Sequence, residues 1–178
     1  SQLMKLRYGV VESTIKYAEF ITNWLNELTK YVNVDFQMAM GNHSELRMIA
    51  QPKGTFVDDN MSKIIKEFIL VRLKDNPNFN FIQNETGLIF DKIFGLNTLA
   101  IHGEVKNLAN AINSFSNIYK VQIDILVGGH MHHYHAETIG VNRDIVSVPS
   151  IIGIDDFSMS IGKTSSAGAL FMIVEEGK

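Results

Sequence analysis

At 178 residues, with 46% hydrophobic and 20% charged side chains, the chain can bury a sizeable core and has the make-up of a globular domain. A formal net charge of −3 and a pI near 6.0 exclude a global basic field, so a nucleic-acid substrate would have to be held locally or through a metal. Cysteine is absent, which excludes disulfides and thiolate metal sites, and neither a membrane-spanning apolar run nor a signal-peptide pattern is found; a cytoplasmic location is expected.

Residues 11–32 carry Val11, Ile15, Ala18, Ile21, Leu25, Leu28 and Val32 at three- and four-residue steps, which predicts an amphipathic helix. The run from Val34 to Met40 predicts a strand that stops at Gly41-Asn42-His43. Residues 51–60, with Pro52, Gly54 and Asp58-Asp59-Asn60, predict a polar loop. A second helix is predicted at 61–73 on the stripe Met61, Ile64, Ile65, Phe68 and Arg72, the Arg stem lying along apolar neighbours. Phe79–Gln83 predicts a short strand; 87–94 and 97–101 predict a hairpin turning at Gly95-Leu96 and running into His102-Gly103-Glu104. A third helix is predicted at 105–119, on Val105, Leu108, Ala109, Ile112, Phe115 and Tyr119. Strands near 136–141 and 144–148, a loop at 149–167 and a last strand at 169–174 complete the chain. The alternation predicts an α/β fold with a parallel component, in one domain spanning 1–178.

Between the third helix and those last strands lies Ile123-Asp124-Ile125-Leu126-Val127-Gly128-Gly129-His130-Met131-His132-His133-Tyr134-His135, which holds four of the chain's six histidines. An apolar run closed by Gly-Gly predicts a buried strand ending in a tight turn. His130 and His132, two apart, can aim at one place from an extended segment. Taken alone, the stretch fits an exposed His-rich turn or a metal site equally. One pattern tips the balance: three apolar strands each deliver a histidine at their end, at His43, His102 and His130. In α/β sheets ligands gather outside the carboxyl ends of strands, so neighbouring strands would bring these side chains to one rim.

Gly41-Asn42-His43, the strand ending in His102, and Gly129-His130-Met131-His132, in that order, resemble the calcineurin-like metallophosphoesterase superfamily, specifically its bacterial and phage phosphodiesterase or nuclease-like branches. The resemblance covers about residues 40–135. It implies a β-sandwich flanked by helices (αββα) with two divalent metal ions at the strand ends. Asn42, His102 and His130 would bind one ion and His132 the other. His43 would act as general acid or transition-state stabiliser, and Arg47 is a candidate phosphate contact. Two cations about 3.5–4 Å apart can clamp a phosphate and activate water. Imidazole and amide oxygen suit Mn, Zn, Fe or Ni, with Mn the leading choice. The implied substrate is a phosphate ester of nucleic acid or a nucleotide. The alternative is a non-catalytic accessory module of a replication or repair assembly, and a third reading is metal sequestration by the 130–135 tract.

The chain departs from the family pattern in two places. The family opens with Asp-x-His and Gly-Asp motifs, whereas residues 1–40 hold no histidine and one aspartate, Asp35. The expectation is a C-terminal fragment of a longer protein, truncated at the N-terminus, unable to hold two ions well and prone to self-association through an uncovered edge or face. Many relatives also carry an acidic residue directly after the His of Gly-Asn-His, where this chain has Ser44-Glu45. Glu104 is read as a partner orienting His102 or as an ordinary loop carboxylate. His133 and His135 are read as supporting or exposed side chains, and the loops 51–60 and 155–166 as candidate substrate-selecting loops.

Overall fold

The structure, a computed structural model, describes residues 8–41, 44–46, 59–84, 87–105, 107–154, 156–160, 162 and 165–176. The chain divides into two compact units, Ser1–Glu85 and Thr86–Lys178. Each has its own sheet, and the whole is α/β with mixed strand directions and helices beside the strands.

The first unit contains helix α1 (Val10–Leu28), strand β1 (Val34–Phe36), helix α2 (Met61–Leu73) and strand β2 (Phe79–Phe81). β1 and β2 pair in parallel, with Val34 opposite Phe79 and Phe36 opposite Phe81. Ala18 and Leu25 of α1 meet Ile65, Ile69 and Leu73 of α2, with Phe36, Phe79 and Phe81 packed against them. The buried stripe of α1 is Thr14, Ala18, Thr22 and Leu25, rotated from the predicted one; Val11, Ile15 and Val32 are exposed. Threonine is admitted to that face because each hydroxyl donates to the carbonyl one turn back, Thr14 to Val10 and Thr22 to Ala18. The helix also stops at Leu28 rather than residue 32. Asn78 donates to the Thr29 carbonyl (3.0 Å) and Asn76 to the Thr29 hydroxyl (2.9 Å), so side chains fix the end that the apolar pattern ran past. β1 is three residues long, shorter than the predicted 34–40. α2 matches its predicted span, starts on Asn60, which accepts from the Ser62 amide, and lays Arg72 over the Phe68 ring.

The second unit is a five-stranded sheet in the order β3-β4-β5-β7-β6, built from β3 (Ile89–Ile93), β4 (Leu96–Ile101), β5 (Ile125–His132), β6 (His135–Gly140) and β7 (Arg143–Pro149). β4, β5 and β7 run parallel; β3 and β6 are antiparallel edges. Helix α3 (Leu108–Tyr119) makes the crossover from β4 to β5, and Ile112 and Ala111 pack on Leu99, Ile101, Leu126 and Ile145. The β3–β4 hairpin turns at Phe94-Gly95, both at positive φ, one residue before the predicted turn. α3 begins three residues later than predicted because Asn107 caps it, accepting from the Asn110 amide at 3.0 Å. A short helix, α4 (Asp156–Ser160), interrupts the predicted 149–167 loop. The predicted strand 169–174 makes no ladder among the described residues.

Candidate metal centre

Because β4 and β5 are parallel and register Ile101 against Gly128, the residues leaving both strands meet at one rim. His102 follows the last residue of β4; His130 lies two residues past Gly128, in the last part of β5. The close approach is made possible by glycine. A Cβ on Gly103 would lie 2.6 Å from the Gly129 carbonyl oxygen, and one on Gly129 would lie 3.0 Å from that of His102. A Cβ on Gly128 would meet the Leu108 side chain of α3 at 2.7 Å.

The predicted Gly-Gly turn is therefore corrected. Gly128 and Gly129 continue the strand, and the left-handed residues are His130 (φ 63) and His132 (φ 61), inside a bulge where the β5–β7 register shifts. Neither is glycine, so the chain accepts backbone strain at both histidines. The segment is tied down from β7 and the tail. The His132 carbonyl accepts from the Ser150 amide (3.4 Å) and from the Ser165 hydroxyl, and Ser147 donates to the His133 carbonyl (2.7 Å).

His130 Nδ1 lies 3.3 Å from His102 Nε2, with the ring planes at 72°. This separation suits a shared ion: two metal–nitrogen bonds of about 2.0–2.1 Å at a tetrahedral angle hold their donors about 3.3–3.4 Å apart. A carboxylate oxygen of Glu104 joins them, so that one donor atom from each of His102, Glu104 and His130 lies within 4.8 Å of the others. Both histidines are half-buried and Glu104 is exposed. Among the described residues this is the group of three or more potential ligands that forms.

Of the sequence-predicted site residues, the structure brings His102 and His130 together. His132 is exposed and outside that group of three. Asn42, His43 and Arg47 lie outside the described residues. Next to them, Ser44 is held within the first unit. Its hydroxyl donates to the Gly41 carbonyl (2.8 Å) and accepts from Ser62 (2.8 Å). His133 Nδ1 lies 2.9 Å from the Met131 carbonyl, and His135 lies 3.4 Å from Glu137 on β6; neither belongs to the group. Glu104, read from the sequence as a partner orienting His102 or as an ordinary loop carboxylate, falls in this group of three.

No protein-family model matches the chain. It is 32% identical over 184 aligned positions to the SPbeta prophage-derived uncharacterized protein YonJ of Bacillus subtilis (strain 168), covering 100% of this chain and 45% of that protein. The chain thus spans a little under half the length of this relative. Among solved structures, an Entamoeba histolytica Vps29 double mutant aligns over 73% of this chain and 64% of its own, with TM-score 0.40 and 12% identity. Wild-type Vps29 of the same organism, complexed with Zn, aligns over 48% of this chain and 52% of its own, with TM-score 0.34 and 18% identity. A Thermotoga maritima protein solved by NMR aligns over 76% of this chain and 98% of its own, with TM-score 0.39 and 10% identity. No helix among the described residues is long and apolar enough to cross a membrane.

Proposed function

We propose that the chain is part of a metal-dependent phosphoesterase, a phosphodiesterase or nuclease acting on nucleic-acid or nucleotide diesters. The observation that carries this reading is the His102–His130 pair, 3.3 Å apart where two parallel strands end. The ordered Gly41-Asn42-His43 and Gly129-His130-Met131-His132 motifs supply the rest of the argument. In this reading His102 and His130 hold one ion with Asn42, and His132 belongs to a second. Ions there, Mn foremost, would supply Lewis-acid activation of the phosphate and of water. His43 donates a proton to the leaving oxygen, an effect worth about 10²–10⁴-fold. Arg47 would hold non-bridging phosphate oxygens through its guanidinium.

The test uses the protein expressed from its complete reading frame, with Mn. It should hydrolyse a diester such as bis-p-nitrophenyl phosphate and an alkyl nucleotide diester. His130→Ala should strip metal and activity together. His43→Ala should keep its metal and lose about 10²–10⁴-fold in kcat on the alkyl ester, with a smaller loss on the nitrophenyl ester, whose leaving group needs no proton. A complete protein that binds Mn and cleaves neither diester would overturn the enzyme reading in favour of an accessory role.

A further inference from the structure

We propose that Glu104 is a direct third ligand, completing with His102 and His130 a site that holds one divalent cation using residues of the second unit alone. The inference deepens the proposed function and rests on its reading of His102 and His130 as ligands. Its starting point is local backbone geometry. Gly103, at φ 94, turns the chain as it leaves β4, and the Val105 amide donates to the Gly103 carbonyl at 2.7 Å across Glu104. This three-residue turn centres on Glu104. It keeps the Glu104 carboxylate within 4.8 Å of a donor nitrogen on each imidazole. Donors sharing one tetrahedral ion lie about 3.3–3.6 Å apart, and rotation of an exposed glutamate side chain covers the difference.

Charge gives the second argument. Two neutral imidazoles leave the full charge of a dication uncompensated, whereas a carboxylate offsets one unit of it at contact distance. Two imidazoles and one carboxylate suit Zn, Fe(II) or Mn. Three protein ligands also leave the coordination sphere open, the arrangement of metal sites that accept water or substrate rather than merely hold a fold together. The consequence is that this chain binds one ion without any upstream carboxylate.

The experiment is a titration of the 178-residue chain with Zn alone, in competition with a chromophoric chelator, alongside Co(II) absorption spectra. One ion per chain is expected. Glu104→Gln should weaken binding at least tenfold and change the Co(II) spectrum. Glu104→His, which restores a ligand, should recover the affinity to within several-fold. His135→Ala should bind as the parent chain does. Unchanged Zn affinity in Glu104→Gln, two ions of equal affinity per parent chain, or no recovery in Glu104→His would each overturn the proposal. Circular dichroism checks folding, and Glu104→Asp, whose shorter reach should also weaken binding, stands in if the Gln variant does not fold. Because the readout is ion binding, its result is separate from diester hydrolysis by the complete protein: either reading can fail while the other stands.

Discussion

Replacing Gly103 by alanine tests whether backbone contact between the ends of β4 and β5 sets the distance between the two imidazoles. The natural control is Gly95, in the β3–β4 hairpin. Both glycines sit at nearly the same positive φ, 94 and 91, but a Cβ on Gly95 meets nothing within 4 Å. Gly95→Ala should therefore cost only the positive-φ term, about 1–2 kcal/mol. Gly103→Ala incurs that cost too, and its Cβ would lie 2.6 Å from the Gly129 carbonyl oxygen and 3.2 Å from the Gly129 nitrogen and carbonyl carbon. These are backbone atoms, so no rotamer change relieves the overlap, which adds about 1–3 kcal/mol. An ordinary contact begins near 3.4 Å, so the strand ends must part by about 0.8 Å. Ligand sites tolerate misplacement of only about 0.5 Å, so metal affinity should fall at least tenfold. Urea denaturation followed by circular dichroism gives the first quantity, and Zn titration the second. Equal stability losses in the two variants, with equal Zn affinity, would refute the idea that this contact positions the site.

His130→Asn should lower Zn affinity at least tenfold while keeping stability within about 0.5 kcal/mol of the parent chain, because asparagine tolerates the left-handed backbone that His130 occupies at φ 63; a loss above 1 kcal/mol in urea denaturation would instead mark His130 as structural. Leu126→Ala removes a side chain with no exposed surface between the sheet and α3, and should cost about 2–5 kcal/mol by the same assay. Asn107→Ala deletes the cap of α3 and should cost about 1 kcal/mol, with Zn affinity unchanged. The 178-residue chain alone should show negligible Mn-dependent hydrolysis of bis-p-nitrophenyl phosphate, and steady turnover in a spectrophotometric assay would contradict this.

Apolar periodicity carried most of the secondary structure, and its errors share a cause. Val11, Ile15 and Val32 fit a helical stripe by type, yet the face of α1 that is buried carries Thr14 and Thr22. A hydropathy pattern counts threonine as polar and cannot register that its hydroxyl is satisfied within its own helix. The overrun to residue 32 is similar, since Asn76 and Asn78, which bond Thr29, lie nearly fifty positions downstream. Residues 169–174 have strand composition, but composition supplies no partner strand, and among the described residues none pairs with them.

At the candidate site the misreading concerned which residues bend. Gly128-Gly129 invited a turn because glycine is the residue that most readily adopts positive φ. The structure uses these glycines for their missing side chains, against Leu108 and the His102 carbonyl, and places the left-handed conformation on His130 and His132 instead. That exchange also breaks the period of two which made His130 and His132 look like a pair, since alternation holds only along a regular extended strand. The Gly103 turn brings Glu104 into one group with His102, and His130 reaches across from the neighbouring parallel strand. Residue types named the chemistry; a bulge and two backbone contacts chose the partners. Strain at a non-glycine residue persists only where surrounding contacts enforce it, and here Ser147, Ser150 and Ser165 hold the carbonyls of His132 and His133. The hydroxyls that grip this strained segment come from Ser147 of β7 and from Ser165, so Ser165 belongs to the architecture of the site even though it lies outside the group of potential ligands.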